Sequence, residues 1–284
     1  EGLFRSDHYL SVMGRPERGS LDAWTTLAAL AAITSRIRLG TLVSPATFRH
    51  PSVLAKSAVT VDHVSGGRVE LGIGAGWQER EHRAYGFPFP ALGTRMDAMA
   101  EQIEIVARSF ADEPFSFQGE HYSLEDLDAL PKPLQRPRPP IIVGGRGGRR
   151  SLELAARWAD EYNTFSASLD EVRQRHHAFA EAWQDAGRDP DAFRFSVMVT
   201  TLVGADETEL RDRIGRLAEW LGGAPEEVIA RLRNGGVAGT VDEAAERLRE
   251  LEAAGAQRVM LQHFLHGDVE AVELIGRELI PRVA

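Results

Sequence analysis

Three short clusters have residue types and spacing that suit chemistry. Asp7-His8 sets a carboxylate beside an imidazole, a pair able to orient a ring, hold a tautomer or shuttle a proton. The competing reading is a histidine that is merely hydrogen-bonded. Gly144-Gly145-Arg146-Gly147-Gly148-Arg149-Arg150 follows an apolar run and precedes a helical pattern. Glycines there let backbone N–H groups approach an anion, and a helix N-terminus adds partial positive charge. Arg146, Arg149 and Arg150 would add cations; the alternative is a tight turn with solvated arginines. Leu71-Gly72-Ile73-Gly74-Ala75-Gly76-Trp77 fails the dinucleotide fingerprint, because the third glycine of Gly-x-Gly-x-x-Gly would fall at Trp77. Its small residues either admit a flat ring against the backbone or serve close packing.

Other chemistries lack their residues. His50, His63 and His82 show no ligand spacing, His176-His177 fall in a polar helical stretch with a solvated side, and there is no His-Glu-x-x-His. A metal site is therefore not expected. No Gly-x-Ser-x-Gly elbow is present, which argues against an acyl-transfer hydrolase. With no cysteine there is no disulfide framework, thiolate nucleophile or Cys-ligated zinc.

The elements that must position these clusters alternate regularly. Apolar runs predict strands at Gly2–Ser6, Ile37–Val43, Val69–Ala75, Ile141–Val143, Glu161–Phe165, Phe193–Val203 and Arg258–Gln262. Helical spacing predicts helices over 21–35, with Ser20 as N-cap, then 51–64, 94–110, 149–158, 169–186, 207–233, 241–254 and 269–280. Residues 111–138 break the rhythm with a small hairpin at Phe115–Tyr122 and a Pro-rich tract, an excursion too short to be a separate domain. Residues 79–93 read as a long loop with Gly86, Pro88 and Pro90 that suits a lid. Strand–helix alternation predicts a parallel sheet with right-handed crossovers. Because the chain opens at Glu1 as if already entering a strand, a first strand and helix are expected before it. Seven strands plus that one favour a single α/β domain over 1–284, a (β/α)₈ TIM barrel, with an open doubly wound sheet as runner-up.

In such a barrel, reactive groups gather at the C-terminal strand ends. Those ends read Asp7-His8, Leu42-Val43-Ser44, Gly74-Ala75-Gly76-Trp77, Gly144–Gly148, Asn163-Thr164, Thr200-Thr201 and Gln262-His263. The chain of 284 residues carries 33 Lys and Arg against 42 Asp and Glu, a net charge of −9. That balance argues against a nucleic-acid or anionic-membrane binder. No apolar run approaches the length of about 18 residues that a membrane span needs, and no signal peptide opens the chain, so the cytoplasm is the expected location.

Several segments together resemble the bacterial luciferase-like monooxygenase superfamily. They are Ser6-Asp7-His8, Ser35–Pro45, Phe48-Arg49-His50-Pro51, Asp62–Trp77 and Pro140–Gly145. In detail they look most like its actinobacterial branch of coenzyme F420-dependent oxidoreductases. The resemblance covers essentially the whole chain. It implies a (β/α)₈ barrel with flavin or deazaflavin at the C-terminal mouth and family members that begin one strand and one helix earlier. It also implies Asp7 and His8 beside the deazaflavin, a non-proline cis peptide at Leu42–Val43 behind the ring, Ala75 and Gly76 against it, and a phosphate cradle at Gly144, Gly145, Arg146, Gly147 and Gly148. One departure stands out: sugar-phosphate dehydrogenases of the family place a Glu proton donor where this chain has Trp77. Trp cannot donate that proton, so Trp77 is expected to wall the pocket. Glu79 and Glu81 compensate only if their loop folds inward.

The expected function is hydride transfer between F420 and an unsaturated or carbonyl compound, with His8 as proton donor and Asp7 beside it. The substrate pocket would draw on Trp77, Thr200 and His263, with Phe87, Phe89 and Phe264 as candidate apolar walls. Arg146, Arg149 and Arg150 would suit the anionic tail of F420. The first alternative is an FMN-dependent two-component monooxygenase; the second is a non-catalytic flavin-binding protein. Relatives often dimerise, so a homodimer is expected, with a small-molecule substrate as the other partner.

Overall fold

The computed structural model describes residues 2–14, 18–165 and 167–283. The chain is α/β and divides into two compact units: Glu1–Val12, Pro16–Tyr162 and Ala186–Arg188 in the first, Met13–Arg15, Asn163–Asp185 and Asp189–Ala284 in the second. In chain order the first unit contains β1 (Gly2–Arg5), α1 (Ala23–Ile33), β2 (Arg38–Thr41), β3 (Ser44–Pro45), α2 (Pro51–Ser65), β4 (Val69–Gly74), α3 (Glu79–Tyr85), α4 (Leu92–Phe110), β5 (Phe115–Gln118), β6 (Ser123–Leu127), β7 (Ile141–Gly144) and α5 (Arg149–Trp158). Its main strands run parallel in the order β1, β2, β4, β7, with Leu3 opposite Leu39, Leu39 opposite Val69 and Leu71 opposite Ile141. Leu71, Ile73, Ile141, Ile142 and Val143 are all fully buried, which accounts for runs with no polar alternation.

Helix α1 is capped by Asp22, whose carboxylate accepts the Thr25 N–H at 2.8 Å; the cap is therefore not Ser20. Only part of its apolar set turns inward, since Leu27 and Ala31 are buried whereas Ile33 is 79% exposed. In α4 the stripe Met99, Ile103, Val106 and Phe110 is buried as its spacing requires. The excursion is an antiparallel hairpin of β5 and β6. Its turn is pinned by Glu101 of α4, which accepts the backbone N–H groups of Glu120, His121 and Tyr122 at 2.8–3.0 Å. The predicted loop over 79–93 instead contains α3, which carries Glu81 and His82 inward.

The second unit carries β8 (Glu161–Phe165, begun in the first), α6 (Leu169–Asp185), β9 (Phe195–Gly204), α7 (Glu207–Leu221), α8 (Pro225–Gly235), β10 (Val237–Thr240), α9 (Val241–Ala253), β11 (Arg258–Gln262) and α10 (Val269–Leu274). The first half of β9 pairs in parallel with β11 and the second half with β10. Strand β10 went unrecognised because Gly235-Gly236-Val237-Ala238-Gly239 reads as loop. The helical stretch expected over 207–233 is two helices, split at Gly222, which sits at φ 75°. His176 is not solvated: it meets Phe193 and Phe195 edge-on, and burial pushes its imidazole below the ordinary value.

One buried cation ties α1 to the sheet. Arg68 donates to the carbonyls of Ala31, Thr34, Ile37 and Ser65 at 2.6–3.0 Å and to the Thr34 hydroxyl. It thereby satisfies carbonyls at the end of α1 that have no helical partner. Arg68→Leu orphans this set, and we expect a loss of about 2–4 kcal/mol, read as a lowered midpoint in urea unfolding. A variant that unfolds with the wild type would show that water replaces the guanidinium.

Candidate active site

The end of β1 delivers Asp7 and His8 into opposite electrostatic settings. Asp7 is 1% exposed. Its Oδ2 accepts hydrogen bonds from the Ser44 hydroxyl at 2.6 Å and Arg49 Nη1 at 2.5 Å. Behind them, Trp24 Nε1 donates to Ser44 Oγ at 3.1 Å, and the other arm of Arg49 reaches Asp22 at 2.6 Å. The second oxygen, Oδ1, is buried with no hydrogen-bond partner among the described residues. Burial lifts the carboxyl above its ordinary value, opposed by Arg49 and Ser44. Buried polar atoms without a partner are rare, and each calls for a reason.

His8 faces α3. Its Nδ1 lies 2.7 Å from Glu81 Oε2, while Glu81 Oε1 accepts the backbone N–H groups of Tyr9 and, at 2.8 Å, Leu10. Glu81 is fully buried. Burial alone would raise its pKa; the bonds from His8 and the two amides outweigh it and hold the carboxyl below the usual range. The loop after Trp77 therefore folds inward through Glu81, whereas Glu79 stays outside and pairs with Arg83. Trp77 is 62% exposed and meets the His8 ring edge-on, with centroids 5.9 Å apart. Helix α3 is held down by Tyr85, whose hydroxyl donates to the Tyr9 carbonyl, and by rings of Tyr9, Phe48 and Phe87 in mutual contact. Phe87 and Phe89 belong to this packing, Phe89 against His82.

The peptide bond Leu42–Val43 is cis. The Val43 side chain lies against three glycines: a Cβ on Gly72, Gly74 or Gly144 would come within 2.6–2.9 Å of its methyls. These glycines thus make room for a valine, and the space they open is already filled. Gly76 (φ 79°) turns the chain beside Thr47, and Ala75 is half-buried next to it.

The turn after β7 is organised by Tyr162. Its hydroxyl accepts the Gly147 N–H at 2.8 Å and lies 3.0 Å from Ser151 Oγ, and a Cβ on Gly145 would strike it at 2.4 Å. Gly148 is the N-cap of α5, and among the described residues no side chain caps that helix; the Ser151 N–H meets the Gly148 carbonyl, which leaves the Arg149 and Arg150 amides with anion-binding capacity. Arg149 pairs with Glu153 and Arg150 with Asp97, both away from the turn's backbone; Arg146 extends from the turn itself. In the second unit, Thr200 ends the β9–β11 ladder with its hydroxyl 3.4 Å from Gln262 Oε1. Burial pushes the His263 imidazole below its ordinary value, opposed by the Leu265 backbone. Phe264 stacks on Trp220.

The structure thus brings Asp7, His8 and Trp77 together, with Val43 beside Gly72, Gly74 and Gly144. Sequence reading listed Ser44 at a strand end and Arg49 within a motif without giving either a role, missed Trp24 and Tyr162, and weighed Glu81 only conditionally. Among the described residues, no group of three or more His, Asp or Glu is placed to hold a metal ion, and no helix is long and apolar enough to cross a membrane.

A family model described as luciferase-like monooxygenase matches residues 3–277. An uncharacterized protein of Mycobacterium tuberculosis is 34% identical over 200 residues, 70% of this chain and 66% of that protein, so the match spans just under two thirds of the relative's length. The FMNH2-dependent dimethylsulfone monooxygenase of Pseudomonas putida is 28% identical, over 92% of this chain and 78% of the enzyme. Among solved structures, the coenzyme F420-dependent tetrahydromethanopterin reductase of Methanopyrus kandleri superposes with a TM-score of 0.80 at 21% identity, over 99% of this chain and 90% of that one. The fold is that of the luciferase-like (β/α)₈ TIM barrels.

The lowered pKa of Glu81 has a thermodynamic consequence. A carboxylate held below its unfolded value of about 4.3 contributes stability that is fully present above that pH and drains away as pH falls through the folded value. Urea midpoints measured from about pH 6 to pH 3 should fall more steeply for the wild type than for Glu81→Gln. Equal slopes would mean that Glu81 titrates alike in both states.

Proposed function

The chain belongs to the luciferase-like monooxygenase family, and from that premise we propose that it is an oxidoreductase passing a hydride between coenzyme F420 and a small unsaturated or carbonyl compound, with His8 as proton donor. The observation that carries this reading is the asymmetric Asp7–His8 pair. Asp7 is locked by Ser44 and Arg49 with one buried oxygen unpartnered, and His8 is tied through Nδ1 alone. Its Nε2 makes no hydrogen bond among the described residues.

The residues present fit such a cofactor. Asp7 Oδ1 would meet a polar edge of the ring, Val43 would back it, and the amides of Arg149 and Arg150 at the start of α5 would hold its phosphate. When bound, F420 supplies a carbon centre that exchanges hydride and does not readily activate oxygen. The chain's own part is orientation and one proton. His8 Nε2 delivers it to the substrate atom that becomes electron-rich as hydride arrives, and Trp77 shields the ring on its exposed edge.

A specific observation favours a second reading, an FMN-dependent monooxygenase. Arg149 and Arg150 are engaged by Glu153 and Asp97, which weakens the case for a cationic track along a long anionic tail. FMN ends at its phosphate and asks less of these side chains. The two readings separate by titration. We expect fluorescence quenching to show F420 binding at micromolar concentration with FMN weaker, and His8→Ala to lower kcat by about 10²–10⁴-fold with F420 affinity kept. Tight FMN binding with no F420 binding would overturn the proposal.

A further inference from the structure

The geometry points to Glu81 as the positioning residue that fixes the tautomer of His8, and so decides which ring nitrogen can exchange a proton with substrate. This rests on the F420 reading for its catalytic consequence, but its structural premise stands apart. Glu81 Oε1 accepts two backbone N–H groups, from Tyr9 and Leu10, and the carboxyl is fully buried. An ionised carboxylate has only acceptors to offer. With His8 Nδ1 at 2.7 Å from Oε2, the hydrogen between them must sit on Nδ1. The neutral ring then carries its lone pair on Nε2, and the protonated ring carries the transferable hydrogen there.

In the reducing direction reduced F420, when bound, would supply the hydride and with it two electrons. The substrate's proton would come from His8 Nε2, whose N–H bond breaks. The Nδ1 hydrogen stays in its bond to Glu81 throughout, so His8 passes from imidazolium to neutral imidazole without turning. The carboxylate acts through His8 and touches no reacting atom.

Helix α3 does not need this bond to stay in place. Tyr85 donates to the Tyr9 carbonyl at 3.1 Å, His82 bonds Thr47 and the Gln78 carbonyl, and Phe87 packs on Tyr9 and Phe48. Glu81→Gln should therefore fold. Its amide oxygen can keep the two backbone N–H groups, which turns the NH₂ group toward His8 Nδ1. A donor facing Nδ1 makes that nitrogen an acceptor and moves the ring hydrogen to Nε2. The same logic makes an Asp→Asn change beside a catalytic histidine costly without disturbing the fold.

The test is long-range ¹H–¹⁵N spectroscopy of the whole protein labelled at histidine, at about pH 8.5, where imidazoles are neutral. His8→Gln assigns the signal. We expect the Nδ1–H tautomer in the wild type, the Nε2–H tautomer in Glu81→Gln, and a fall in kcat of about 10²–10⁴-fold in that variant with KM nearly unchanged. A wild-type His8 protonated on Nε2 overturns the inference, even if the variant fails to fold. So does a folded Glu81→Gln with wild-type kcat. The tautomer needs no cofactor: a protein that ignores F420 sinks the proposed function alone, and one that turns over F420 with an Nε2–H His8 sinks only this assignment.

Discussion

Two carboxylates are removed from water around one histidine, Asp7 beside it in sequence and Glu81 in contact with its ring, and the local architecture follows from what each then requires. A buried carboxylate is tolerated only with charge-assisted or multiple hydrogen bonds. Asp7 recruits Ser44 and Arg49 to one oxygen, and Arg49 in turn grips Asp22, the N-cap of α1. Glu81 instead recruits two consecutive backbone amides and His8. The first arrangement braces the end of β1 against β3 and α1; the second pulls α3 over the same end. Between them His8 has little rotational freedom, which is the condition for general acid–base work.

Directly below, steric exclusion plays the comparable part. Val43 occupies the space in front of two strands at once, and glycine stands at each point where its methyls approach: Gly72 and Gly74 on β4, Gly144 on β7. At Gly72 a Cβ would also come within 2.1 Å of the Thr41 carbonyl, so the strand itself needs the glycine. The glycines of the β4 motif are thus explained by a neighbour inside the protein before any ligand is considered. Tyr162 imposes the same kind of limit on Gly145, where its hydroxyl both blocks a side chain and accepts the Gly147 amide.

Much of the strand–helix alternation was legible because buried parallel strands read as unbroken apolar runs and the helices carry one apolar stripe. What escaped was short or glycine-rich, as at β10, or depended on contacts between distant segments. Asp7-His8 is visible as a pair, but nothing in adjacent residues says that Asp7 turns inward to Arg49, 42 positions on, or that His8 turns to Glu81, 73 positions on. The stretch 79–93 reads as loop because Gly86, Pro88 and Pro90 dominate it. The helix forms in the seven residues before them, where Glu79 and Glu81 suit the helix N-terminus and Gly86 closes it at φ 73°. His176 misled for a similar reason: its polar neighbours describe the helix surface, whereas its own ring packs on Phe193, just before β9, and on Phe195 at its start.

Trp77 and Glu81 both meet His8, from different settings. Trp77 lies ahead of α3, before its N-cap Gln78, and touches the ring edge-on with 62% of its own surface accessible. Glu81 comes from within α3, is fully buried and meets the ring at Nδ1. The carboxylate is therefore behind the imidazole, able to hold a proton on Nδ1 and unable to give one to anything in front. In the proposed reaction the one ring atom of His8 left to exchange a proton is therefore Nε2, with Trp77 edge-on beside the ring.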